Sequence, residues 1–150
     1  YIFIDSVKGT DTFYNHNLTE SIAGCYFVTA TDSARNESNF SNEFCVDNCP
    51  CYKLPNVFTP NGDGDNDFFT PFIPYRFVER VDMQIFNRQG GLLFATENPD
   101  ILWDGKNQFN GNDVPEGVYY YTCKVYEIRV EGIVQSGQTL SGYIHLIRSN

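Results

Sequence analysis

The sequence predicts an all-β protein, and three observations lead there. Of 150 residues, 13 are Phe and 10 are Tyr, against a single Met; aromatic and β-branched side chains fit the pleated surface of a sheet. Apolar residues recur in short alternating runs separated by Gly, Asn, Asp and Pro, which is the period and the punctuation of half-buried strands. No segment carries a convincing 3.6-residue apolar period, which speaks against helical bundles.

In chain order, the first 47 residues contain strand-like runs at Tyr1–Val7, Asp11–Leu18, Cys25–Thr31 and Phe40–Val46. The chain enters the first run without a Met and without a basic-then-apolar leader, so it is expected to be a processed protein or a piece of a longer one. Residues 48–53 are polar and broken by Pro50, and read as a linker. Beyond it, strands are expected at Leu54–Phe58, Val78–Phe86, Leu92–Thr96, Val118–Val130 and Gly137–Arg148. Val81, Met83 and Ile85 alternate with Asp82 and Gln84, as in an antiparallel strand with one buried face. Asn87–Gly91 supplies a turn. The last two runs form a long hairpin joined across Glu131–Ser136, with Leu140, Ile144 and Leu146 on one face. The expected architecture is half a sandwich over 1–47 and an Ig-like β-sandwich over 54–150.

Composition narrows function. The net charge of −9 comes with no Lys/Arg cluster, so nucleic acid is not an expected partner. No run approaches the ~20 apolar residues that span a bilayer, and no membrane insertion is expected. His16 and His145 are isolated, and neither a nucleophile–base arrangement nor a phosphate-cradling loop can be assigned, so no enzyme activity is expected.

Asn61, Asp63, Asp65 and Asp67 occupy alternate positions around Gly62 and Gly64. Such a loop is either a solvated turn or the oxygen set of one Ca²⁺, although too few ligands are specified to fill a shell of ~6–8 oxygens. Calcium is therefore the one cofactor to consider, and none is required. Trp103 is the only indole and should anchor the core with its N–H on a backbone carbonyl. Asp104-Gly105 and Pro115-Glu116-Gly117 read as turns. Five cysteines suit an exported chain better than a cytosolic one. Cys25 and Cys45 are equidistant from a turn at Arg35, and fall opposite each other if the strands pair without a bulge, within disulfide range.

Several of these blocks resemble known families. Gly24–Ser38, with its Tyr26-x-Val28-x-Ala30-x-Asp32 strand, resembles the last hairpin of a fibronectin type III domain, which would make 1–47 the closing part of such a sandwich. Leu54–Asp67, Trp103-Asp104-Gly105-Lys106, Gly111 through Pro115 to Tyr121, and Ser141–Arg148 together resemble the gliding-motility-associated C-terminal domain. That family is the type B sorting domain of type IX secretion cargo in Bacteroidetes. The chain departs from it at Gln89, where Trp is common, and at Cys51, where an aromatic is typical.

The resemblance implies a signal for export through the periplasm to the cell surface or the medium. The outer-membrane translocon and its accessory β-barrel proteins would be the partners. It places recognition on the terminal hairpin, at Tyr143, Ile144, Leu146 and Arg148, and favours Cys49 as the partner of Cys123, with Cys51 free. The alternative reading is a calcium-dependent adhesin or carbohydrate-binding module.

Overall fold

The computed structural model describes residues 1–17 and 21–148 and contains strands and turns, with no helix among them. Near the N-terminus, Gly24–Tyr26 (β1) pairs antiparallel with Phe44–Val46 (β2), with Cys25 opposite Cys45. The turn between them is organised by Asp32, whose Oδ1 accepts the amides of Ala34 and Asn36, each at 2.8 Å. This is the hairpin of the fibronectin-like block, formed as two strands of three residues each.

The remaining N-terminal expectations need correction. Tyr1–Val7 and the described part of Asp11–Leu18 are not strands, and Leu18 lies outside the described residues. Alternation alone does not make a strand, because backbone groups need a partner. Here the run stays in solvent, with Ile2 90% exposed.

Five strands form the main sheet: Val57–Phe58 (β3), Val78–Phe86 (β4), Leu92–Thr96 (β5), Gly117–Arg129 (β6) and Gly132–Leu146 (β7). Their order is β3-β7-β6-β4-β5. All neighbours are antiparallel except β3, which lies parallel to the end of β7. The β6–β7 hairpin closes on Arg129 opposite Gly132, so its turn is the pair Val130-Glu131 and not the six-residue loop read from sequence. Gly132 takes φ +111°, which a residue without Cβ permits. The Gly- and Gln-containing stretch Ser136–Gln138 is instead a bulge inside β7, where two extra residues accommodate the register shift.

Alternate side chains of the sheet point to one core. Val81, Met83 and Ile85 from β4, Tyr119, Cys123 and Val125 from β6, and Ile144 and Leu146 from β7 are all buried. Loops cover that face of the sheet and contribute Tyr52, Phe69, Ile101, Trp103 and Val114, and β3 at the sheet edge adds Phe58. The loop layer is held by isolated bridges pairing Phe69 with Trp103 and Lys106 with Asp113. The arrangement is sandwich-like and consistent with an Ig-like fold.

Residues 48–53 are more than a spacer. Tyr52 belongs to the core and donates its hydroxyl to the Pro99 carbonyl. Asn48 is buried beside the far end of β6, where it donates to the Ile128 carbonyl at 2.6 Å and to Ser21 Oγ at 2.9 Å, and accepts the Ile22 amide at 3.0 Å.

Candidate functional site

The blocks of the sequence that carry the family resemblance meet at one end of the sandwich. The acidic loop leaves β3 and closes on itself: the Thr59 amide donates to the Asn66 carbonyl at 2.9 Å. Gly62 and Gly64 take φ +81° and +95°, conformations that suit glycine. Asp67 Oδ1 accepts the Gly62 amide at 2.6 Å and its Oδ2 accepts the Gly64 amide at 2.9 Å. Asp63 accepts the Asp65 amide at 2.9 Å and the Asn61 Nδ2 at 2.8 Å, and these two bonds hold its carboxyl below the ordinary Asp value. Asn61 Oδ1 accepts the Asp63 amide at 3.2 Å. Of the side chains expected to hold calcium, Asn61, Asp63 and Asp67 are thus bonded within the loop, and a cation would have to displace those bonds. The geometry fits a hydrogen-bonded turn.

Trp103 is fully buried and donates Nε1–H to the Lys106 carbonyl at 2.8 Å. Phe58 and Tyr119 flank its ring at centroid distances of 5.2 and 5.6 Å. The indole is core, and no face of it is open to a sugar. Its carbonyl partner belongs to the turn that begins at Asp104, whose Oδ1 accepts the Lys106 amide at 3.0 Å. Gly105 in that turn has φ +78°, and a Cβ there would sit 2.9 Å from Leu146 Cδ1 and 3.2 Å from Pro60 Cγ.

Arg148 ties these turns together. Its Nη1 donates to the Pro60 carbonyl at 3.1 Å, and its Nη2 to the Gly105 carbonyl at 3.0 Å and to Asp113 Oδ1 at 3.3 Å. Its backbone amide donates to the Glu116 carboxylate. One side chain and its amide therefore touch the acidic loop, the Trp-Asp-Gly turn and the segment leading into β6. Its Nε is buried without a hydrogen-bond partner. The sequence offers a signal that could have marked this role: β7 has no Asp, Glu, Lys or Arg over 15 residues, and Arg148 lies two residues past its end.

The other expected recognition residues divide. Tyr143 is half exposed and stacks edge-on against His145 at 5.3 Å. Ile144 and Leu146 are buried in the core, so no partner can touch them while the sheet is intact. That part of the expected recognition set is corrected: in an antiparallel strand with one covered face, Ile144 and Leu146 share the inward side.

The cysteines also divide. Cys25 and Cys45 are bonded, with S–S at 2.04 Å. Cys49 and Cys123 are not, which corrects the bridge that the resemblance implied. Cys123 is buried mid-strand, and burial pushes its thiol up to about 12. Cys49 follows Asn48, which docks at Ile128, five residues or ~16 Å further along β6. Cys49 and Cys51 are both exposed.

Comparison with known proteins agrees with this layout. A family model described as the CHU_C type IX secretion signal domain matches residues 52–146, a span that begins at the core residue Tyr52 and ends with β7. No curated protein and no solved structure matches the chain. The match covers well over half of the sequence and includes the acidic loop, the Trp103 turn and the terminal hairpin, so the chain belongs to the type IX secretion signal domain family and carries a C-terminal sorting signal.

Proposed function

We propose that the sorting signal is a folded surface, recognised by the outer-membrane translocon and its accessory β-barrel proteins after the chain has reached the periplasm. The attached polypeptide is thereby delivered to the cell surface or the medium. The observation that carries this reading is the convergence on Arg148: segments from Pro60, Gly105, Asp113 and Glu116 meet only in the folded chain. No residue is assigned a chemical step. The domain acts by binding, and no cofactor is assigned to it.

The test is export of a passenger carrying residues 1–150 at its C-terminus, in a host with a type IX system and in the same host without its translocon. Surface delivery in the first and periplasmic accumulation in the second is the expected result. Equal delivery in both would show that the domain is cargo and not the address.

A further inference from the structure

β7 has two unlike sides. One is bonded to β6 from Gly132 to Leu146. On the other, β3 covers only His145 and Leu146. The His145 and Ile147 amides donate to the carbonyls of Asn56 and Phe58 at 2.8 and 3.2 Å, so odd-numbered amides face the β3 side. Register is unbroken from Thr139 to Leu146. Alternation in an antiparallel ladder therefore turns the N–H and C=O of Thr139, Ser141 and Tyr143 the same way. No strand lies there among the described residues.

The opposite edge is closed. Gln108 donates its amide to the Leu93 carbonyl and accepts the Ala95 amide on Oε1, both at 2.8 Å, which occupies β5. The open edge also lacks the usual guards against strand addition: Gly132–Leu146 contains no Asp, Glu, Lys, Arg or Pro. An apolar row on the solvent face ends at it. Leu92, Phe86, Tyr120 and Tyr143 are in register across four strands, and the last two are 49% and 48% exposed.

We propose that the Thr139–Tyr143 edge receives an extended strand of the secretion machinery, laid in line with β3. The proposal rests on the sorting function and names the surface that serves it. The incoming segment is neutral or basic, because a chain of net charge −9 disfavours an acidic strand, and disfavours a second copy of itself for the same reason. An aromatic or long apolar side chain of that segment extends the row beyond Tyr143. Its alternate side chains fall on the core side of the sheet, beside the partly buried Leu140.

The same passenger fusion, with all 150 residues, tests this. Ser141→Pro removes an outward amide at an edge position where proline is tolerated, whereas Ser141→Ala keeps that amide. The pair Thr139→Lys with Ser141→Lys alters only exposed side chains and guards the edge. With melting temperature unchanged, Ser141→Pro and the lysine pair lower surface delivery about tenfold, the effect of one or two net hydrogen bonds, and Ser141→Ala is delivered normally. Normal delivery of the folded lysine pair, or a loss in Ser141→Ala equal to that in Ser141→Pro, overturns the proposal. Should Ser141→Pro fail to fold, the lysine pair decides alone. Failure of the unaltered fusion to reach the surface instead removes the sorting reading itself.

Discussion

The Asn48 side chain donates to the Ile128 carbonyl over 2.6 Å across 80 positions of sequence. The same amide group holds Ser21 and Ile22, so one buried residue joins the N-terminal segment to the end of β6. Arg129 reinforces the joint by donating to the Asn48 carbonyl at 2.5 Å and pairing with Asp47 at 3.5 Å. Asn48→Ala leaves the Ile22 amide and the Ile128 carbonyl without this partner. A loss of about 2–3 kcal/mol is expected, from the cost of leaving buried groups unsatisfied. Urea unfolding of the variant against the parent checks it.

Trp103→Ala should cost about 3–5 kcal/mol, the range for emptying a large aromatic site, because Trp103 has no exposed surface. Trp103→Phe should cost less, since it keeps ring contacts with Phe58 and Tyr119 and loses the bond to Lys106. As the single Trp of the chain, its emission reports unfolding of the parent directly. The variants need circular dichroism.

Gly105 and Gly111 form a matched pair for dissecting backbone from packing. Both have positive φ, +78° and +73°, but only at Gly105 would a Cβ meet neighbours. Gly111→Ala is expected to cost about 1–2 kcal/mol for the left-handed backbone. Gly105→Ala should exceed it, because Leu146 and Pro60 must also move. Equal melting temperatures for the two variants would contradict the close packing of Gly105.

The acidic loop is expected to be indifferent to calcium. A ligand that binds the folded state raises its melting temperature, and the Asp63 and Asp67 oxygens already accept loop amides. Melting curves in millimolar calcium and in chelator should superimpose. A rise with free calcium would mean that the loop rearranges to bind it.

Thiol labelling should separate three classes at neutral pH: Cys49 and Cys51 react, buried Cys123 does not, and Cys25 and Cys45 react only after reduction. The same burial sets an alkaline limit. The Cys123 thiol is raised to about 12 in the folded chain, so below the ordinary thiol value both states are protonated and stability is unaffected. Above that value the unfolded state loses its proton first, and stability falls as pH climbs toward 12. Tyr52, whose hydroxyl is also raised by burial, adds to the fall above the ordinary tyrosine range. Denaturant midpoints between pH 7 and about 10 measure it.

Much of the fold was legible because its signals are local. The alternation of Val81, Met83 and Ile85 marks β4 and its buried face, and the Gly-rich turn after Asn87 separates it from β5. Trp103 and its need for a carbonyl could be read from composition and an adjacent turn. The features that escaped are long-range. Asn48 and Tyr52 read as linker because nothing nearby reveals partners at Ile128 and Pro99. Tyr1–Val7 and Asp11–Leu18 read as strands because a pattern does not say whether a pairing edge is present. Of the expected recognition set, Ile144 and Leu146 are core while Tyr143 is surface, a division fixed by which face the loops cover. The Cys49–Cys123 bridge came from the family resemblance, and the path of residues 47–52 across the end of β6 keeps those thiols apart.

The position of Arg148 also gives the domain a sense of time. Every group it ties lies earlier in the chain, as far back as Pro60, 88 residues away. A polypeptide made from its N-terminus presents these turns first, without their fastener. They can be drawn together only when the last strand has emerged. A chain that stops short of Arg148 therefore keeps the three turns but lacks the one residue that fastens them to each other.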